Sequence, residues 1–157
     1  MRLRKGLGYG AALLLTLPLL SLPPVHASAP AADYRAGDLV VSDVRSSPTP
    51  PVATVGAVYF SIANAGRKAD RLMAVSTPIA GKAEIHESRL VQGIVEMRPV
   101  ASVECPPGAT VKIEPGGLHV MLLGLTHPLA AGMRFPLLLH FRDAGDLTVQ
   151  AVVDARQ

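Results

Sequence analysis

Apolar and polar residues alternate in short runs along most of the chain, and each run stops at a Pro, Gly or Asn. That two-residue period predicts β-strands with one buried face. Leu39 and Val41 alternate with Val40 and Ser42, predicting a first strand over Gly37 to Val44. Val58, Phe60 and Ile62 mark one face of a strand over Gly56 to Ala63. Asn64-Ala65-Gly66 then reads as the turn of a hairpin whose return strand is Asp70 to Ser76. Lys82 to Ser88 and Ile94 to Val100, separated by Gly93, form a second predicted hairpin. Shorter strands follow at Ser102 to Glu104 and Thr110 to Glu114. The run Leu118-His119-Val120-Met121-Leu122-Leu123 alternates up to Gly124, and Phe135 to Phe141 and Leu147 to Val153 close the series. Ser46 to Val52 contains Pro48, Pro50 and Pro51, so it is a loop. No stretch after residue 36 keeps a helical period. Strands of this length with such punctuation predict a single all-β sandwich or barrel over residues 37–157.

The first residues follow another pattern. Arg2, Arg4 and Lys5 precede an apolar run from Ala11 to Leu22, and small residues follow in Val25-His26-Ala27-Ser28-Ala29. The run is shorter than the roughly 20 residues a membrane helix needs. The segment reads as an export signal over 1–27, cut after Ala27 or Ala29, and not as a retained anchor. No cysteine follows the apolar run, so the pattern of a lipid-attached signal is missing. Residues 28–36 read as a flexible lead.

This segment changes the charge balance. Without Arg2, Arg4 and Lys5, twelve Lys and Arg face twelve Asp and Glu. The basic balance of the whole chain therefore carries no argument for nucleic acid, and no Lys/Arg cluster with interleaved aromatics restores one. Cys105 is the sole cysteine, so no internal disulfide is available. It reads as a small buried hydrophobe.

The chemistry lies in His119 and Met121, which project from one face of their strand while Leu118, Val120 and Leu122 supply the other. His86 and Met97 lie on the two arms of a predicted hairpin, so they can occupy adjacent strands. Two imidazoles and two thioethers, without thiolate or carboxylate, form a soft, neutral donor set that favours Cu(I) over Zn(II), Ca(II) or Mg(II). Each residue also has a plainer reading. Methionines in β proteins commonly fill cores, as expected for Met73 and Met133, and His127 and His140 read as surface or hydrogen-bonded residues. A blue-copper centre needs a thiolate close to a His and a Met, whereas Cys105 lies well before His119 with Pro106-Pro107 between. No Gly-x-Ser-x-Gly, His-Glu-x-x-His or phosphate-loop pattern supports an enzyme.

The spacing His86, ten residues, Met97, twenty-one residues, His119-x-Met121 resembles the PCu(A)C family of periplasmic copper chaperones. The flanking Ala83-Glu84-Ile85-His86-Glu87, Met97-Arg98-Pro99-Val100 and Pro115-Gly116-Gly117-Leu118-His119 are also similar to that family, and the likeness spans about residues 38 to 153. It implies a cupredoxin-like, Greek-key-type β-barrel with an accessible Cu(I) site at His86, Met97, His119 and Met121. It further implies a carrier without catalysis that delivers copper in the bacterial periplasm to the CuA centre of cytochrome c oxidase subunit II, alongside Sco-type thiol proteins. Glu87 stands where some members carry a further Met, and the chain lacks the His/Met-rich tail of others. Two other readings remain open. One is copper buffering or resistance without a dedicated acceptor. The other is a metal-free β-sandwich binding module in which the four residues only pack.

Overall fold

The structure is a computed structural model that describes residues 32–154. The expected export signal, and the lead up to residue 31, lie outside the described residues. Among the described residues there are eleven strands and no helix. They are β1 (Tyr34–Ala36), β2 (Leu39–Ser46), β3 (Val55–Asn64), β4 (Asp70–Ser76), β5 (Ala80–Val91), β6 (Ile94–Pro99), β7 (Val103–Cys105), β8 (Thr110–Ile113), β9 (Leu118–Leu125), β10 (Arg134–Phe141) and β11 (Gly145–Val153).

These strands form one open mixed sheet in the order β6-β5-β9-β3-β2-β11-β10-β4-β7, with β1 on β2 and β8 on β3. All pairings are antiparallel except β11 with β2. The sheet wraps a single apolar core to which nearly every strand contributes. β3 is its axis, since its residues alternate buried and half-buried from Gly56 to Asn64. One edge of β3 is covered by β2. The other is shared end to end, by β9 along Val55–Val58 and by β8 along Phe60–Ala63. Fully burying Val58, Phe60 and Ile62 stabilises the fold by about 1.5–3 kcal/mol for each side chain.

Three expectations need correction. Tyr34–Ala36, placed in the flexible lead, is a strand that pairs with Leu39–Val41 around Gly37, whose φ of 56° suits the turn. Three residues are too few for alternation to reveal. Second, Asp70–Ser76 does not return along β3. Both edges of β3 are occupied, so β4 crosses to the far end of the sheet and pairs with β10 and β7. The Asn64 amide instead holds a loop: it donates to the carbonyls of Lys68 (2.8 Å) and Cys105 (2.9 Å) and accepts from the Gly66 N–H. Third, Met73 is no core filler. It is 45% exposed, because Leu72 beside it takes the inward face of β4. Met133 does pack against the core.

Asp70 is buried, and its carboxylate is satisfied by backbone alone. Oδ1 accepts the N–H of Arg71 (2.6 Å) and of Asp143 (3.0 Å), and Oδ2 accepts that of Ala144 (2.8 Å). It thereby ties the start of β4 to the β10–β11 turn. Asp70→Ala leaves these donors without a partner and is expected to lower unfolding free energy by about 2–4 kcal/mol in a denaturant titration.

Cys105 is fully buried, and burial pushes its thiol from the ordinary 9.0 up to about 11. The unfolded chain then loses this proton first. As pH rises from 9.0 to about 11 the unfolded state binds fewer protons, so this thiol's contribution to stability falls across that window. The difference in unfolding free energy between the natural chain and Cys105→Ala, measured at pH 8 and again near pH 11, is expected to shift in favour of the alanine variant at the higher pH.

Candidate metal centre

The β5–β6 hairpin and β9 build the site. β5 and β6 pair without interruption from Val91↔Ile94 to His86↔Pro99. Gln92 and Gly93 form the connection, both at positive φ (50° and 82°), the geometry that a two-residue hairpin turn demands. On its other edge β5 pairs with β9, and in that register His86 lies directly opposite His119. Opposed residues point to the same side of a sheet, and every second residue along a strand does so too. Ile85 faces Val120 on the core side, and both are buried. His86, His119 and Met121 therefore share the other face. Met97, opposite Ser88, joins them there.

The two imidazoles meet, with ring centroids 5.9 Å apart and planes inclined at 59°. The thioethers stand on either side of that pair. Met121 is one step along β9, opposite Glu84, and Met97 is one step the other way, across the hairpin. His119 is 6% exposed, whereas Met97 is 50% exposed. The site thus has a sheltered imidazole floor and one thioether open to solvent.

Hydrogen bonds set the ring orientations. His119 Nδ1 lies 3.1 Å from the Gly117 carbonyl oxygen, so it donates there and leaves Nε2 with the lone pair. His86 Nε2 lies 3.2 Å from Glu84 Oε2, while His86 Nδ1 is buried without a hydrogen-bond partner. The other Glu84 oxygen, Oε1, takes Lys82 Nζ at 2.5 Å. Lys82 first, and His86 second, hold the Glu84 carboxyl below the usual carboxylate range. Glu84 appeared in the sequence only as part of a flanking motif. Its spacing of two from His86 on a strand was the available signal.

Among the described residues, no group of three or more His, Cys, Asp and Glu is arranged to hold a metal. A metal bound at this face would need the thioethers, and the donor set of two neutral imidazoles and two thioethers suits a soft monovalent ion. The orphaned His86 Nδ1 is an acceptor that a cation could satisfy. Other candidates lie elsewhere. His140 bonds to Asp146 (2.8 Å) and contacts Ser76, and His127 bonds to Thr126. Cys105 is sealed in β7. Glu87 alternates to the opposite face from His86 and ion-pairs with Arg89 (2.8 Å).

Nothing among curated proteins matches the chain. Solved structures do. The apo PCuAC domain from PmoF1 is 27% identical, with a TM-score of 0.69, over 80% of this chain and 100% of that domain. The copper-bound PCuAC domain from PmoF2 shares the fold at 22% identity and a TM-score of 0.68, covering 80% of this chain and 99% of that domain. Apo-DR1885 from Deinococcus radiodurans is 25% identical, with a TM-score of 0.61, over 94% of this chain and 97% of that one. The fold is thus cupredoxin-like as well as all-β. The family described as putative lipoprotein LpqE-like matches residues 39–153, nearly every strand described above. The chain belongs to this family, the PCuAC family of copper-binding chaperones.

Proposed function

We propose that the protein binds one Cu(I) through His86, Met97, His119 and Met121 and carries it to an acceptor outside the cytoplasm. The observation that carries this reading is the β5–β9 register, which sets His86 opposite His119 with both methionines on the same face. The related DR1885 was also determined with CuI, at 26% identity and a TM-score of 0.55.

The donor set suits a carrier more than a store. Thioethers are neutral and bind Cu(I) without needing to lose a proton. Met97 is half exposed at the sheet edge, where an incoming thiolate can replace its sulfur before the imidazoles let go. The acceptor that fits this chemistry is a thiolate-bearing copper centre, such as the CuA site of cytochrome c oxidase subunit II, reached directly or through Sco-type proteins. The amino-terminal export pattern supports a periplasmic location. No helix among the described residues is long and apolar enough to cross a membrane. The role requires no catalysis.

Two measurements test the reading. Competition with a Cu(I) chelator should give one Cu(I) per chain, and Met97→Ala and His119→Ala should each weaken binding more than about tenfold, roughly 1.4 kcal/mol. Far-UV circular dichroism should show the Met97 variant folded, since that side chain lies outside the core. Mixing the loaded chain with a reduced apo-CuA domain should then move copper to the acceptor. Copper that stays behind would point to buffering, and zero copper bound would leave only a packing role.

A further inference from the structure

We propose that Glu84 is a positioning residue of the metal site, holding the Nε2–H of His86 so that His86 offers Nδ1 to the metal while His119 offers Nε2. The inference rests on the copper reading above and adds to it which atom of each ring binds and which residue decides this.

An ionised carboxylate can only accept hydrogen bonds. With Glu84 Oε2 at 3.2 Å from His86 Nε2, the shared proton belongs on that nitrogen. A neutral imidazole protonated at Nε2 keeps its lone pair on Nδ1, which here is buried and unpartnered. Buried polar atoms without partners are rare in folded proteins and call for an explanation. A metal ion accounts for this one, since it takes the lone pair that no donor reaches. His119 is arranged the opposite way, with Nδ1 given to Gly117 and Nε2 left open. Each ring is thus locked by a different acceptor, a carboxylate for His86 and a main-chain carbonyl for His119.

Glu84 is placed for this work. It lies two residues before His86 and opposite Met121, on the face that carries the proposed donors. Its two oxygens are divided, Oε1 to Lys82 and Oε2 to His86, so the carboxylate is clamped from both ends. That division also argues against Glu84 as a metal ligand, as does the preference of a soft monovalent ion for nitrogen and sulfur over carboxylate oxygen. A carboxylate behind a ligating histidine fixes its tautomer and strengthens it as a donor.

The test is nitrogen-15 NMR of the histidine side chains, without metal and with one equivalent of Cu(I), on the natural chain, Glu84→Ala and Glu84→Gln, together with chelator competition. In the metal-free natural chain His86 should carry its proton on Nε2 and His119 on Nδ1. Cu(I) should then shift His86 Nδ1 and His119 Nε2. Glu84→Ala should release the His86 tautomer and weaken Cu(I) binding by about 10–100-fold with the stoichiometry unchanged. Glu84→Gln, whose amide oxygen still accepts the Nε2–H, should keep the tautomer and recover most of the affinity. Copper on His86 Nε2, or a Glu84→Ala chain with unchanged tautomer and affinity, overturns the proposal while leaving the carrier reading intact. A natural chain that takes up no Cu(I) overturns both.

Discussion

The register between β5 and β9 is the constraint on which the site depends. Side chains alternate across a strand, so a slip of one residue would exchange the two faces of β9, turning His119 and Met121 inward and Val120 and Leu122 outward. The core forbids that slip, because Val120, Leu122 and Ile85 are almost completely buried. The loop entering β9 adds a second lock. Glu114 N–H bonds to the Leu118 carbonyl at 2.6 Å, and Ser88 N–H bonds to the Gly117 carbonyl at 3.0 Å. Apolar burial on one side of the sheet therefore dictates which donors meet on the other. The candidate metal face needs no special loop of its own.

This coupling explains why so much of the placement of the candidate donors was legible in the sequence. Leu118 to Leu122 alternates so regularly that its outward face could be read directly, and the Gln92-Gly93 turn closes the β5–β6 hairpin where Gly93 marked it. The meeting of the hairpin with β9 was not legible from alternation. It is a long-range pairing, and only the resemblance in spacing to a known family pointed to it. The hairpin expected between β3 and β4 shows the same limit in reverse. Asn64-Ala65-Gly66 has the composition of a tight turn, but whether a strand returns along its neighbour depends on which edges are free, and β2 and β8 had taken those of β3.

Polar residues whose partners are distant in the chain were the least readable. Asn64 reaches the Cys105 carbonyl and Asp70 reaches the Ala144 N–H, and neither partner is marked in the sequence. Asn64 ties β3 to β7, and Asp70 ties β4 to the β10–β11 turn, where alternation is silent. Glu84 lies between these cases. Its spacing from His86 is local and visible, yet its carboxylate could equally have pointed at solvent, at Lys82 alone or at a metal. Only the fold shows that one oxygen goes to Lys82 and the other to the ring.

The contrast between the two sulfur environments has a further consequence. Cys105, sealed in the core with a raised pKa, is shielded from peroxide, because little of it is present as the reactive thiolate and its side chain is fully buried. Met97 stands half exposed on the outermost strand. Oxidative attack would reach it, as it would Met73, and convert its thioether to a sulfoxide, which is polar and binds soft metals poorly. If Met97 is a donor as proposed, the lesion would disarm the face without unfolding the protein, and a methionine sulfoxide reductase acting at that edge strand would reverse it.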